Sequence, residues 1–480
     1  MISKKVDQNK LNISDIFHNT SDLIIHEFET NFGIRAIACY IEGLIDKNLM
    51  DRDVLKPLIS GLNKPKNIKK IIFVSQVKEM DSMEDIATQL NYGKVALFFE
   101  GNNMGYTIEL NQWEKRAVEE PNSGAVVRGP KEGFIEDIVT NKSLLRRKIR
   151  SSNLIFEDYT LGKQTNTQIS LAYIKGIVNE NVLKEVRKRL GGIDIDSILE
   201  SGYIEELIED SPLSLFTTVS NIEKPDVVAG KILEGRVAIF VDGTPHVLTV
   251  PRLIVEGFMT SEDYYLRPYF ASFLRILRVI SLILTIYLPG VFVALQLYHQ
   301  EMIPTVLLIS MAGAREGVPL PVVLETLLMI IVLSLIKESG LRLPKNFGST
   351  VGIVGALILG ESAVRAGIVS GVTIIIVSIV AISEFIIPEM VQSIALYRII
   401  ILLLGSFAGL YGITCGFMVI TAQIVSIDSF GVPYLWPLAP MDWQGTKKDV
   451  FVRAPLWRNI FRPRAIERRN IKRQTPPWGK

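Results

Sequence analysis

The chain has 480 residues, of which 48% are hydrophobic and 21% charged, and its formal net charge is +2. Its mean hydropathy of +0.29 is high for a soluble protein, whereas its charged fraction is too high for a protein that lies entirely in a membrane. The two cysteines, Cys39 and Cys415, exclude a disulfide framework and a cysteine zinc site. Composition therefore divides the chain into a charge-rich part at 1–270, an apolar part at 279–427 and a basic end at 446–480.

The charge-rich part predicts a mixed α/β (α+β) fold. Strand-like runs lie between helix-like runs, and the Pro-, Gly- and charge-rich stretch 119–132 divides them into two lobes. We predict a flexible N-terminus at 1–20, a first lobe at 21–130 and a second lobe at 131–270. The N-terminus has no apolar run typical of a signal peptide, so we expect both lobes in the cytosol.

The elements of the two lobes follow from local patterns. Strands are predicted at 70–75, 95–100, 168–174 and 236–241, and helices at 84–91, 133–151 and 181–190. Asp242-Gly243 supplies the positive φ of a tight turn, so 236–241 and 247–250 are predicted to form a hairpin.

The soluble part carries no recognisable catalytic motif. We find no phosphate loop, dinucleotide fingerprint, zinc-protease motif or nucleophile elbow, and the four histidines lack ligand spacing. The basic residues at 146–150 could bind phosphate or lipid headgroups, but we prefer to interpret them as the solvated face of an amphipathic helix. The chain is therefore predicted not to be an enzyme, with no cofactor and no metal.

Residues 271–430 predict an all-α polytopic membrane domain. Four full spans are predicted near 279–298, 317–337, 366–387 and 399–425, with short segments near 302–314 and 347–362. The uncharged run 399–427 would be about 44 Å long as one helix, so it must tilt, protrude or break. If both this run and 347–362 are hairpins, the number of spans is six.

A basic tail at 431–480 follows the membrane domain. Residues 446–480 contain eleven Lys and Arg against two acids, and Arg275 and Arg278 precede the first span. Both observations indicate the cytosolic side, because cytosolic flanks of spans are rich in Lys and Arg. Aromatic residues between these bases suit a membrane surface better than nucleic acid: Phe451, Trp457, Phe461 and Trp478.

Glycine and proline interrupt the apolar part. Pro289 lies in the middle of the first span, where it is predicted to kink the helix and is a candidate residue for gating or conduction. Three pairs have the small-xxx-small spacing that lets membrane helices approach closely: Gly348 and Gly352, Gly405 and Gly409, and Gly412 and Gly416. They predict a tight bundle or an oligomer.

Charged residues inside the apolar part are the candidate functional residues. Glu325 has no charged neighbour at helical spacing within 326–336, so it is expected to face the protein interior, a partner helix or a watery cavity. Glu361 and Arg365 are four residues apart and can form an ion pair on one helix face. Either that pair joins helices or it serves gating or conduction. Arg315 and Glu316 are expected in a loop at headgroup level.

Several segments resemble the GerA family of bacterial spore germination proteins. In the apolar part these are YLPGVFVALQLYHQEMIPT (287–305), AGAREGVPLP (312–321), the stretch 339–370 and SFGVPYLWPLAP (429–440). In the soluble part, 126–151, AYIKGI (172–177) and GRVAIFVDGTPHVLTVP (235–251) are similar to the cytosolic hallmarks of the family. The resemblance covers about residues 20 to 460 in the same order.

The resemblance implies the A subunit of a nutrient germinant receptor in the inner membrane of the spore. Such subunits work with a permease-like B subunit and a lipoprotein C subunit, and they are thought to form a ring that releases cations. The chain departs from the family at Glu361, where an uncharged residue is common. In LETLLMI (324–330) the acid at 325 is kept and a second acid is missing.

Three alternatives stay open at this point. The paralogue SpoVAF, an amplifier that acts beside the receptors, shares these motifs. A self-sufficient secondary transporter would show repeated halves, and we find no convincing internal repeat in the sequence. A membrane scaffold would carry the same charges for structural reasons.

Overall fold

The structure is a computed structural model, and it describes residues 2–62, 68–74, 76–110, 128–342, 360–463, 466, 470 and 472–475. Gly348 and Gly352, most of the predicted segment 347–362 and Trp478 lie outside the described residues. The soluble part forms two lobes, each with its own five-stranded antiparallel sheet.

Lobe 1 contains strands β1 to β5, paired in the order β1-β2-β4-β5-β3. The strands are β1 Leu23–Glu29, β2 Arg35–Ile41, β3 Val77–Met80, β4 Lys94–Phe99 and β5 Gly105–Glu109. Its helices are α1 Val6–Ile16, α2 Lys47–Leu49, a π-helical turn Met50–Leu55, α3 Lys56–Gly61, α4 Ile68–Ile71 and α5 Met83–Asn91. Helices α1 and α5 cover one sheet face and the remaining helices cover the other, so the lobe has two apolar cores.

Lobe 2 has the same strand order, β6-β7-β9-β10-β8, and again every pair is antiparallel. The strands are β6 Leu154–Leu161, β7 Thr167–Ile174, β8 Ser220–Ile222, β9 Val237–Val241 and β10 Val247–Val250. Its helices are α6 Ile138–Lys148, α7 Glu180–Gly191, α8 Ser201–Ile208 and α9 Pro225–Leu233. The two lobes are therefore one topology used twice, a repeat that sequence patterns did not reveal.

Most predicted elements of the lobes are confirmed, and two are wrong. Strands β4, β7 and β9, helices α5, α6 and α7, and the hairpin of β9 with β10 lie where they were predicted. In the predicted strand 70–75, the described residues 70–74 are instead the end of helix α4 and a loop, because Ile68 and Ile72 are buried at helical spacing. The predicted flexible N-terminus 1–20 is instead helix α1, which buries Val6 and Ile13 under the sheet.

Among its described residues, the apolar part contains five long or medium helices and short connecting turns. The helices are α10 Pro268–Tyr298, α11 Thr305–Arg315, α12 Val322–Arg342, α13 Gly371–Phe385 and α14 Val391–Ser426, and residues 360–365 are also helical. Within the described residues, Pro268–Tyr298 and Pro388–Ser426 are long and apolar enough to cross a membrane. Strands β11 Asp428–Ser429 and β12 Val432–Pro433 and helix α15 Trp443–Asp449 follow.

Helix α14 is a helical hairpin. Gly409 has φ 59° and ψ −144°, a conformation that only glycine adopts readily, and the chain reverses there. The arms 391–408 and 410–426 lie side by side, since the Tyr397 hydroxyl donates to Gln423 Oε1 at 2.9 Å. The long run was expected to tilt, protrude or break, and the structure shows a break at Gly409, so the single span 399–425 is wrong.

Lobe 2 and the apolar helices share one core. Side chains of α7 and α8 pack in the same apolar cluster as side chains of α10 and α14. Phe216 stacks on Tyr397 of α14 with 5.2 Å between ring centroids. The basic tail also packs on lobe 2, where Ile466 is buried and its carbonyl accepts from Asn179 Nδ2 at 2.7 Å. This part of the tail is therefore folded against the protein.

Candidate functional site: buried charges among the apolar helices

Glu325 is fully buried in the first turn of α12. Its Oε1 accepts a hydrogen bond from the backbone N–H of Ser370 at 2.6 Å. Ser370 caps α13, and its hydroxyl accepts from the N–H of Thr373. In a capping box a Glu of the same helix binds the N-cap amide, and here a Glu of the neighbouring helix does so. The positive end of the helix dipole also favours a carboxylate at this place.

Arg315, at the end of α11, is the cation that faces Glu325. Its Nε lies 3.8 Å from Glu325 Oε2, which is an ion-pair distance but too long for a hydrogen bond. Its Nη1 donates to Gln296 Oε1 of α10 at 3.0 Å. Arg315 thus points inward at Glu325, unlike the headgroup-level loop residue that we expected. The interior position predicted for Glu325 agrees with its burial.

Glu325 Oε2 and Arg315 Nε are both buried, and neither has a hydrogen-bond partner among the described residues. Leaving charged atoms unsatisfied in a low-dielectric interior is costly, so this contact is weaker than an optimal ion pair. The pair lies where α10, α11, α12 and α13 meet, because Arg315 also contacts Gln296 and Glu325 also contacts Ser370.

Glu361 and Arg365 form the predicted ion pair, with Arg365 Nη2 at 2.6 Å from Glu361 Oε1. Their side chains are 56% and 79% exposed, and no contact to Glu325 is found among the described residues. An exposed pair contributes little to stability. The structure therefore does not bring these two residues into the Glu325 site.

Pro289 and the glycines lie at the crossing of α10 and α14. A Cβ at Gly290 would lie 2.9 Å from the carbonyl oxygen of Ile401, and one at Gly405 would lie 2.8 Å from that of Gly290. The two backbones are thus in direct contact, as the small-residue spacing predicts. Helix α10 continues through the buried Pro289, whose missing N–H leaves the carbonyl of Thr285 without its helical donor.

The remaining predicted glycines form the hairpin of α14. Gly409 makes the reversal, and Gly412 and Gly416 pack against Leu404 of the first arm. A Cβ at Gly412 would overlap the carbonyl oxygen of Leu404. These glycines therefore bring two segments of one chain together.

A second buried charge cluster was missed by the sequence analysis. Lys337 Nζ and Arg398 Nη1 lie 2.7 and 3.0 Å from the same oxygen, Oε2 of Glu384. The three residues belong to α12, α14 and α13, respectively. Their wide separation in sequence hid the cluster, although each lies near the end of an apolar run.

A third cluster joins lobe 2, α10 and the tail. Asp263 is fully buried, and its Oδ2 accepts from Arg275 Nε at 2.9 Å and from Arg278 Nη1 at 2.8 Å. Arg275 Nη1 also donates to Asp449 Oδ1 at 2.9 Å. We expected these two arginines to mark the cytosolic flank. Instead they form buried ion pairs that connect the soluble part to the apolar part.

Two carboxyl groups of lobe 2 have pKa values shifted in opposite directions. Burial by itself would raise the pKa of Glu256, but the charges of Arg236 and Lys231 outweigh it and lower that pKa to about 2. Burial raises the pKa of Glu205 to about 7, and the Glu209 carboxylate adds to this shift. Within the part of the chain that the structure describes, no group of three or more His, Cys, Asp or Glu could hold a metal ion.

Comparison with known proteins gives a consistent result. The family model "Bacillus/Clostridium GerA spore germination protein" matches residues 11–465. Spore germination protein KA of Bacillus subtilis (strain 168) is 40% identical over 484 residues, covering 99% of this chain and 89% of that protein. Spore germination protein GerLA of Bacillus cereus is 36% identical over 456 residues, covering 92% of each.

Among solved structures, the chain is similar to the N-terminal domain of the A subunit of the Bacillus megaterium spore germinant receptor GerK3. The two are 37% identical, with a TM-score of 0.41, and the match covers 53% of this chain and 97% of that one.

Proposed function

Because this chain belongs to the GerA family of spore germination proteins, we propose that it is the A subunit of a nutrient germinant receptor. The family makes it a spore-associated membrane protein, and we assign it to the spore inner membrane with both termini in the cytosol. The basic tail supports this orientation. The proposed transmembrane domain is 271–430, between the two lobes and the tail 431–480.

In this proposal the chain works with a permease-like B subunit and a lipoprotein C subunit, and several copies form a ring. Exposed apolar side chains along α10, such as Phe273, Ile280 and Ile283, give it a surface for lipid or for another copy. The ring forms a conduit that releases cations when the receptor is activated.

The observation that carries the conduit proposal is the incompletely satisfied carboxylate of Glu325. Burying an acid between apolar helices is costly unless the acid is fully paired, and Glu325 is fully buried while its Oε2 lacks a hydrogen bond. An acid kept at such a cost is a candidate functional residue. A cation that reaches Oε2 replaces Arg315 as the partner. The release of Arg315 then frees α11 from α12, which is the opening movement in this proposal.

The test is Glu325→Gln in spores, with cation release measured after addition of germinant. The amide is neutral but of nearly the same size, so we expect the protein level to stay normal and the rate of release to change by at least tenfold. Glu316→Gln is the matched control, because Glu316 is an exposed acid next to Arg315. We expect the control to release cations at the normal rate.

Normal release from the Glu325→Gln spores, at normal protein level, would contradict the conduit and favour a membrane scaffold. Deletion of the gene separates a receptor subunit from an accessory amplifier of the SpoVAF type. Loss of the response to one germinant class supports the receptor, whereas a uniform slowing of the responses to all germinants supports the amplifier.

A further inference from the structure

The cluster of Lys337, Glu384 and Arg398 is not balanced in charge. Both bases contact the same oxygen of Glu384, and among the described residues no other carboxylate pairs with either base. The cluster thus has two positive charges and one negative charge between three apolar helices. An uncompensated charge in such a place is costly, so a further anion would stabilise it.

A small cavity lies beside this cluster. It is about the size of one water molecule, and apolar side chains form most of its wall together with the three charged residues and Ser334. Arg398 is 5% exposed, and its Nε is a buried donor that has no hydrogen-bond partner. The cavity is therefore lined by a positive group that has one unpaired donor.

The outer side of the cavity is open to the surroundings of the helices. Lys337 is about one quarter exposed, and its Nζ lies 4.8 Å from the ring of Phe385, which is itself largely exposed. The turn Pro388–Met390, directly after α13, contacts lobe 2, since Met390 packs against Gly257. The cluster therefore lies near the end of the apolar part that faces the soluble domain.

We propose that this cluster binds the phosphate group of an anionic lipid headgroup, an inference that rests on the proposed membrane placement of α12 and α13. The phosphate contacts Lys337 at the mouth of the cavity, and one of its oxygens reaches the free donor of Arg398. The cavity is too small for a whole phosphate, so the group stays attached to its lipid outside. Basic pockets between membrane helices at the cytosolic face are suited to such headgroups.

The test uses the purified full chain in detergent, with bound lipid counted by native mass spectrometry. We expect tighter binding of phosphatidylglycerol than of phosphatidylcholine. In Lys337→Gln, the affinity for phosphatidylglycerol should fall about fivefold, which corresponds to about 1 kcal/mol for one base near a lipid surface. Binding of phosphatidylcholine should not change.

Arg267→Gln is the matched control, because Arg267 is an exposed base at the start of α10 and does not line the cavity. We expect it to change phosphatidylglycerol binding by less than twofold. An equal loss in both variants would mean general surface attraction and would overturn the proposal. An unchanged affinity in Lys337→Gln would overturn it as well.

Inorganic phosphate and chloride at equal ionic strength separate phosphate recognition from charge screening. If phosphate displaces the lipid more strongly than chloride does, and this difference is lost in Lys337→Gln, the result supports recognition of the phosphate group. Equal displacement by the two salts contradicts it. Direct binding of inorganic phosphate without lipid would make the free ion the source. If the membrane placement itself is wrong, neither lipid will bind any variant, which distinguishes that failure from failure of this inference.

Discussion

Lobe 1 and lobe 2 have the same strand order but different surroundings. Lobe 1 covers both faces of its sheet with its own helices and closes two separate cores. Lobe 2 closes one core in this way, and its other core continues through α7 and α8 into α10 and α14. The same topology thus serves once as an independent unit and once as the base of the apolar helices.

The joints of the two lobes differ as well. Lobe 1 is joined to lobe 2 mainly by polar contacts, in which the buried Arg146 of α6 binds Asp22 through Nε at 2.7 Å and Nη2 at 2.9 Å. Our interpretation of the basic residues at 146–150 as a solvated face is therefore wrong for Arg146. Lobe 2 is joined to the helices by an apolar core and by Asp263 with its two arginines.

The largest effect is expected from breaking the joint between lobe 2 and the helices. Asp263→Ala removes a buried carboxylate and leaves the Arg278 guanidinium without its acid, which should cost about 4 kcal/mol in the free energy of unfolding. Thermal unfolding of the purified full chain measures this loss. Asp194→Ala is the control, because Asp194 forms an exposed pair with Lys163, and its loss should cost less than about 0.5 kcal/mol. Equal effects of the two substitutions would contradict a special role of this joint.

Breaking the contact between the two lobes should cause the next largest loss in the free energy of unfolding. Asp22→Ala leaves Arg146 buried without its acid and should cost about 3 kcal/mol. Hydrogen exchange should become faster in the contact regions 20–44 and 138–149, while α10 and α14 stay protected. The double variant Asp22→Ala with Arg146→Met should lose less stability than the sum of the two single losses. Strict additivity would show that the two side chains do not act as a pair.

The smallest effect is expected from pH. Burial raises the pKa of Glu205 to about 7 from 4.5, so the folded protein binds this proton more tightly than the unfolded chain does. The stabilising effect of the proton is therefore present at low pH and is lost as the pH rises from about 4.5 to about 7. A pKa difference between 4.5 and about 7 corresponds to about 3 kcal/mol, but Glu205 is only partly buried, so solvent screening should reduce the loss over this range to about 1 kcal/mol. We expect thermal unfolding to show this loss and Glu205→Gln to abolish it. The exposed neighbour provides the control, Glu206→Gln, which should keep the wild-type pH dependence.

Local patterns predicted the elements of the lobes better than their arrangement. Strand β9 and its hairpin follow from an apolar run and Asp-Gly, which are signals within a few residues. The repeated strand order was missed because pairing across a sheet depends on contacts distant in sequence. Helix α1 was missed because it is mostly polar, although Val6 and Ile13 are seven residues apart and are buried on one face.

The candidate site was predicted only in part, again because contacts between residues distant in sequence leave no local pattern. The burial of Glu325 follows from an acid alone in an apolar run, but its contacts with Arg315 and Ser370 depend on how three helices meet. The break of α14 was expected from its length and glycines, whereas Lys337, Glu384 and Arg398 carry no local signal of their meeting. Spacing along one helix shows pairs such as Glu361 with Arg365 and misses pairs between helices.

The reversal at Gly409 has a consequence for the order of folding. Both arms of the hairpin lie within 36 residues of chain, so their contacts close a short loop at low entropic cost. The arms can pair with each other as soon as both have been synthesised, before they meet α10. A substitution at Gly409 would thus act early, by delaying the insertion of a preformed pair of helices, and only later through the stability of the finished protein.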